Sequence, residues 1–292
     1  MNTMTRPRIA LFAYSEVGSL CLEELIRSGA NVSVVFTHED DPNEEIWFRS
    51  VKEIAAENNI PVFTPEKITA AEVEKLRSYS PELIFSFYYR EMIPAAVLEL
   101  PHLGAYNIHG ALLPKYRGRA CVNWAVINGE KETGATLHEM TELADRGGIV
   151  AAKAVPILFE DTGHDVFIKV AQAARDILKE SLTDLEAGTA KITPQNEEEA
   201  TKYGRRRPED GKIDWNKSAV EIYNLVRAVT HPFPGAFAEV GGKKIYIWKA
   251  LPEEGHARPG YIVSDEPLLI GTGKGLLRII RFQPEGEPER DA

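Results

Sequence analysis

Cysteine is nearly absent: Cys21 and Cys121 are the only two in 292 residues, and no CxxC spacing joins them to a neighbour. That excludes a disulfide framework and argues against a cysteine zinc site. No apolar run reaches the ~20 residues of a membrane-spanning helix. The run Ile9–Tyr14 is too short for a secretion signal and stops at Ser15-Glu16, so a soluble, cytoplasmic protein is expected. A basic surplus is missing too: the formal net charge is -10, which disfavours nucleic acid as the main partner. The first strand-to-helix turn, Tyr14–Ser19, holds one glycine where a dinucleotide fold would show G-x-G-x-x-G, and Glu16 would repel a pyrophosphate. A nicotinamide oxidoreductase is disfavoured accordingly. Nor does any H-x-x-x-H or Cys/His cluster point to a metal.

What is present is a sizeable core, 43% of the residues being hydrophobic. Short apolar runs alternate with helical patterns through the first half. Arg8–Tyr14, Val32–Thr37, Pro61–Phe63, Leu83–Tyr88 and Ala105–His109 read as strands. Ser19–Ser28, Glu44–Asn58 and Ala70–Ser78 read as helices. Near-continuous apolar strands between helices predict a Rossmann-like parallel sheet covered on both faces. Extended segments at Ala135–Met140 and Ile149–Ile157 follow, then a long amphipathic helix over Asp165–Ala187 and a polar, acidic linker at Thr193–Lys202. Beyond Tyr203 one helix, Ser218–Thr230, precedes short strands broken by turns, the pattern of a small OB-like β-barrel. The expected division is an α/β catalytic domain over residues 1–200 and a barrel over 201–292.

The densest polar signal is Asn107-Ile108-His109. Residues two apart on a strand share a face. At the C-terminal end of a parallel strand that face opens on the crevice where α/β proteins bind ligands. An amide donor beside an imidazole can stabilise an oxyanion and move a proton. Asp145, in the glycine-rich bend Asp145-Arg146-Gly147-Gly148, could orient that histidine. Each residue also has a commonplace reading: strand-end side chains bonded to loop backbone, and an aspartate in a turn. The remaining histidines, His138 among them, read as surface or internally satisfied residues.

Larger motifs give the trio its context. Phe85–Arg90 (FSFYYR), N-x-H-G-x-L-L-P-K-Y-R-G-R from Asn107 to Arg119, Asn123-Trp124 with Asn128-Gly129-Glu130, Asp145-x-Gly, Gly204-Arg205-Arg206 and Pro232-x-Pro234-Gly235-Ala236-Phe237 resemble the folate-dependent formyltransferases along nearly the whole chain. The branch most resembled is the N-terminal domain of the bifunctional polymyxin-resistance enzyme, which acts on UDP-4-amino-4-deoxy-L-arabinose in lipid A modification. The resemblance implies that His109 is the proton donor and acceptor, that Asn107 stabilises the oxyanion, and that Asp145 raises the pKa of His109. It places Glu91, Met92, Ile93, Arg119 and the stretch Thr141, Glu142, Leu143, Ala144 and Asp145 against 10-formyltetrahydrofolate. Arg205, Arg206, Lys212 and Arg227 are candidate contacts to a nucleotide pyrophosphate, with exposed solubilising charge as the alternative.

Two departures stand out. Cys121 replaces the proline of that branch's R-G-R-A-P motif, and the decarboxylase half of the bifunctional enzyme has no counterpart here. A stand-alone enzyme served by a separate decarboxylase, or an excised domain, would fit. Against the methionyl-tRNA branch, the stretch His38–Glu45 carries five acids in eight residues where that branch has a basic loop, and Arg119 replaces a small residue. A small nucleotide-linked amino sugar is therefore the expected acceptor, with methionyl-tRNA, or a folate-binding module without catalysis, as alternatives.

Overall fold

The computed structural model describes residues 6–42 and 45–292. Residues 1–5, and Asn43 and Glu44 within the acidic stretch and at the expected start of a helix, lie outside the described residues. The chain divides into two compact units, one of residues 1–118, 133–155 and 168–202, the other of 119–132, 156–167 and 203–292. Two segments that precede residue 200 thus belong to the second unit, where the expectation was a single cut near that residue.

The first unit is built on a seven-stranded sheet. Its strands are β1 (Arg8–Ala13), β2 (Asn31–Phe36), β3 (Val62–Phe63), β4 (Leu83–Phe87), β5 (Ala105–His109), β6 (Glu132–Glu139) and β7 (Ile149–Pro156), in the order β3-β2-β1-β4-β5-β6-β7. From β3 to β5 all pairings are parallel, and β6 then runs antiparallel to β5. The helices are α1 (Ser15–Arg27), α2 (Val51–Glu57), α3 (Ala70–Ser78) and the short α4 (Ala95–Leu98). Alternate residues of the strands serve two apolar faces. Ala10, Phe12, Val34, Phe36 and Ile84 pack with Val73 and Leu76 of α3 and Val97 of α4. Ile9, Leu11, Leu83 and Phe85 are equally buried, as are Leu22 and Leu25 of α1. Burial on both faces is what the continuous apolar runs encode.

Gly18, the lone glycine of the first turn, lets α1 come close to its neighbours. A Cβ there would sit 3.2 Å from Ala13 and from Val51 Cγ2. α2 begins at Val51, not Glu44, because Ser50 caps it, its hydroxyl accepting from the Glu53 N–H at 3.3 Å.

The second unit holds α5 (Cys121–Ile127), which packs on α7 (Ala219–Val229). Between them in the chain runs α6 (Gly163–Ala187), begun in this unit and continued in the first. Ser218 opens α7 with a reciprocal capping box to Glu221. An antiparallel sheet follows: β8 (Ala236–Val240), β9 (Lys243–Glu253), β10 (Ile262–Asp265), β11 (Leu268–Gly271), β12 (Leu276–Pro284) and β13 (Arg290–Asp291). They are ordered β8-β9-β12-β11-β10, with β13 on β12. Among the described residues no helix is long and apolar enough to cross a membrane.

Candidate active site

β5 carries Asn107 and His109 with Ile108 between them, buried in the core at 1% exposure. The antiparallel step to β6 sets Asn107 opposite His138 and His109 opposite Thr136. Asn107 Nδ2 donates to His138 Nε2 at 3.0 Å. The other ring nitrogen of His138 donates to the Glu139 carbonyl at 2.7 Å, which settles Nε2 as the acceptor. An amide nitrogen has two N–H groups, and His138 takes one of them. The pKa of His138 is lowered to about 4, first by burial and then by the neighbouring His109, with Asp145 pulling the other way. His138 is therefore a neutral acceptor at neutral pH.

His109 is 7% exposed. Its Nε2 donates to the Tyr116 carbonyl at 2.8 Å, and Nδ1 lies 3.6 Å from Asp145 Oδ1. The same carboxylate oxygen is 3.8 Å from His138 Nε2. Its partner Oδ2 accepts the Gly118 backbone N–H at 2.8 Å. Asp145 has φ +60°, a left-handed conformation that aspartate enters more easily than most residues. The turn folds back tightly: a Cβ on Gly147 would fall 2.0 Å from the Glu139 carbonyl oxygen. Thr136 ties down the segment after β5, donating to the Ala111 carbonyl at 2.7 Å and accepting from the Leu113 N–H at 3.1 Å.

An amide, two imidazoles and a carboxylate thus meet within 4 Å of one another in sequence (Asn107–His138, His138–Asp145, Asp145–His109). Such a cluster can hold a proton on one imidazole beside its counter-charge and offer N–H groups to a developing negative charge. The structure brings Asn107, His109 and Asp145 together. It adds His138, which the sequence reading set aside. Polar residues are common on its strand, where Glu132, Thr133, Thr136 and Glu139 also lie, so no local signal singled it out.

Glu91, Met92 and Ile93 follow β4. Met92 is 61% exposed, whereas Ile93 packs on the core cluster, as does Met140. Thr141–Asp145 form the turn after β6. Thr141 Oγ1 donates to the Leu143 carbonyl at 2.8 Å, and Leu143 is 60% exposed. Glu142 and Ala144 are exposed as well.

The remaining candidates belong to the second unit. Arg119, Asn123, Arg205, Arg206, Phe233 and Gly235 help line a cavity of about 230 Å³. Arg206 stacks over Trp124, 4.7 Å from the ring centroid, and burial lowers its pKa. Lys212 lies on the surface, paired with Glu239 at 2.6 Å. Arg227 is different in kind. It is buried, and its guanidinium donates to Asn224 Oδ1 at 2.9 Å and to the carbonyls of Leu158 and Asp161 at 3.1 and 2.8 Å. Its donors hold the second unit together, and burial lowers its pKa.

Several solved structures share this fold. The N-formyltransferase from Helicobacter canadensis, in complex with folinic acid and dTDP-3-aminofucose, is 21% identical with a TM-score of 0.73, over 93% of this chain and 98% of that one. WlaRD, a sugar 3N-formyl transferase in the presence of dTDP and 5-N-formyl-THF, is 20% identical with a TM-score of 0.73, over 97% of this chain and all of that one. HypX from Aquifex aeolicus, in complex with tetrahydrofolic acid, is 23% identical with a TM-score of 0.65. Here 98% of this chain spans only 46% of HypX. In sequence, residues 8–182 match the formyl transferase domain and residues 205–292 the formyl transferase C-terminal domain, so the chain belongs to the formyl transferase family.

Proposed function

We propose that the protein transfers a formyl group from 10-formyltetrahydrofolate to the amine of a nucleotide-linked amino sugar. The observation that carries this is the cluster of Asn107, His109 and Asp145, held by backbone and by His138. In this reading the amine nitrogen attacks the formyl carbon of the donor. A carbon–nitrogen bond forms to the sugar and the bond to folate N10 breaks. His109 delivers a proton to the departing N10 and takes up the one the amine gives, so the ring ends the turnover as it began. Asn107 offers its second amide N–H to the oxygen as charge develops on it, His109 turns its Nε2 proton from the Tyr116 carbonyl toward the reacting atoms, and Asp145 supplies the counter-charge to the protonated ring.

Reduced folate fits the first unit, where Glu91–Ile93 and Thr141–Asp145 form loops with the apolar Met92 and Leu143 exposed. The acceptor's diphosphate fits the cavity of the second unit, lined by Arg119, Arg205 and Arg206. Of the candidate anion contacts, Arg205 and Arg206 suit this role. Arg227 does not, its donors being taken by carbonyls and Asn224. The Helicobacter canadensis N-formyltransferase, with folinic acid and dTDP-3-aminofucose, and WlaRD, with 5-N-formyl-THF and dTDP, support the same substrate classes. UDP-4-amino-4-deoxy-L-arabinose is our specific choice of acceptor, which would place the reaction in lipid A modification and polymyxin resistance. It rests on the motif resemblance and on Arg119.

The test is a formyl-transfer assay with 10-formyltetrahydrofolate and three acceptors: UDP-4-amino-4-deoxy-L-arabinose, a dTDP-linked amino sugar and methionyl-tRNA. Formylation of the uridine sugar in preference to the others is expected. Preference for the dTDP sugar would move the specific choice, and preference for the charged tRNA would overturn the class.

A further inference from the structure

Thr193–Lys202 reads in sequence as a linker, yet in the structure it is bonded into the site from end to end. Thr193 exchanges backbone hydrogen bonds with Ile149, at 2.8 Å from its own N–H and 2.7 Å to its carbonyl. Thr201 Oγ1 accepts from the Tyr116 N–H at 2.8 Å, and its carbonyl accepts from the Arg117 N–H at 2.9 Å. Tyr116 is the residue whose carbonyl holds His109.

Gln195 makes the most specific contacts of the segment. Its Nε2 donates to the Asp145 carbonyl at 2.9 Å and to the Gly147 carbonyl at 2.7 Å. Its Oε1 accepts from Arg117 Nε at 3.2 Å and Nη2 at 2.7 Å. Two donors meet two carbonyls and the acceptor meets two guanidinium N–H groups, so the amide has one orientation that satisfies it. Arg117 is itself only 4% exposed, and it is braced by paired hydrogen bonds to Glu197 at 2.7 and 2.8 Å. That pairing raises the pKa of Arg117 and lowers that of Glu197.

The carbonyls that Gln195 grips flank the left-handed Asp145 and the tight Gly147. A non-glycine residue in that conformation persists where its surroundings over-determine it. We infer that Gln195, aimed by Arg117, is a positioning residue: it clamps the Asp145 turn so that the carboxylate stays on His109 and on the Gly118 N–H. This inference rests on the formyl-transfer reading, because it concerns what Asp145 does there.

The experiment uses Gln195→Ala and Gln195→Glu in the full chain. The glutamate keeps the length and the arginine partner but turns a carboxylate on two carbonyl oxygens. The Gly118 amide proton, bonded to Asp145 Oδ2, reports where the carboxylate is without any turnover. Both variants should shift that resonance upfield and lose its protection against exchange. In formyl transfer kcat should fall ~10–100-fold, as a displacement of about 1 Å at a catalytic group can produce. KM for both substrates should change less than about twofold. An unmoved Gly118 resonance or an unchanged kcat overturns the inference, whatever happens to the melting temperature. If the wild-type protein transfers no formyl group to any amine, the functional reading fails, and the Gly118 resonance alone decides whether Gln195 positions Asp145.

Discussion

Asn107 and His138 face each other across the one antiparallel step next to β5, 3.0 Å apart, and a carbonyl beyond the histidine sets which of them donates. Protonating His138 would turn its acceptor nitrogen into a second donor aimed at the Asn107 amide. In an unfolded chain histidine titrates near ~6.5, whereas here burial and His109 bring His138 down to about 4. Between those values the unfolded state binds more protons. His138 therefore contributes stability that is complete above about pH 6.5 and is lost as the pH falls toward its folded value. Melting curves from pH 7 to pH 4 should fall more steeply for the wild type than for His138→Gln. Parallel curves would remove this account of His138.

Asp145→Asn keeps the volume, tolerates the left-handed backbone and retains an oxygen for the Gly118 N–H. What it removes is the charge beside His109. The expected result is a kcat lowered by ~10²–10⁴-fold with little change in melting temperature, comparable to the loss of a general acid–base contribution. Steady-state kinetics and folate binding by calorimetry check it; near-normal turnover would take Asp145 out of the mechanism.

Gly147 has no room for a methyl group, since the carbonyl oxygen in the way belongs to the strand that carries His138. Gly147→Ala should cost about 1–3 kcal/mol of stability through forced backbone shifts, read as a lower denaturation midpoint. Activity should fall with it, because the same shift moves Asp145. A variant as stable as the wild type would show that the turn has more slack than its geometry indicates.

Arg205 and Arg227 should separate cleanly. Arg205 is exposed at the cavity of the second unit. Arg205→Ala should raise the acceptor KM about tenfold, one charge-assisted contact to a phosphate, with stability within about 0.5 kcal/mol of the wild type. Arg227→Ala strips donors from two carbonyls and an amide in the interior, and should destabilise by roughly 2–4 kcal/mol. The reverse pattern in urea titrations and acceptor kinetics would exchange their roles.

The parallel sheet was legible because its strands are apolar on both faces, and the expected and observed bounds of β1, β2, β4 and β5 agree within a residue at each end. Asn107 and His109 were legible for the same reason, as polar interruptions two residues apart on such a strand. His138 was not. Its meaning comes from a hydrogen bond to a strand 31 positions earlier, which no local pattern announces. The segment 193–202 misled through composition: polar side chains imply solvent, and several of these face turns of the protein instead. Arg227 misled in the same sense, a charge on a helix read as a pyrophosphate contact although its neighbours Tyr223, Asn224 and Ala228 are all buried.

The clamp on Asp145 also sets an order of assembly. Gln195 follows Asp145 by 50 positions, with the whole of α6 between them. A nascent chain can pair β1 to β7 before Gln195 exists, but the Asp145 turn acquires its clamp only once that later segment has been made and has threaded back beside Arg117. Competence for chemistry thus arrives after the sheet, and a fragment cut at the end of α6 would lack the side chain that fixes the Asp145 turn.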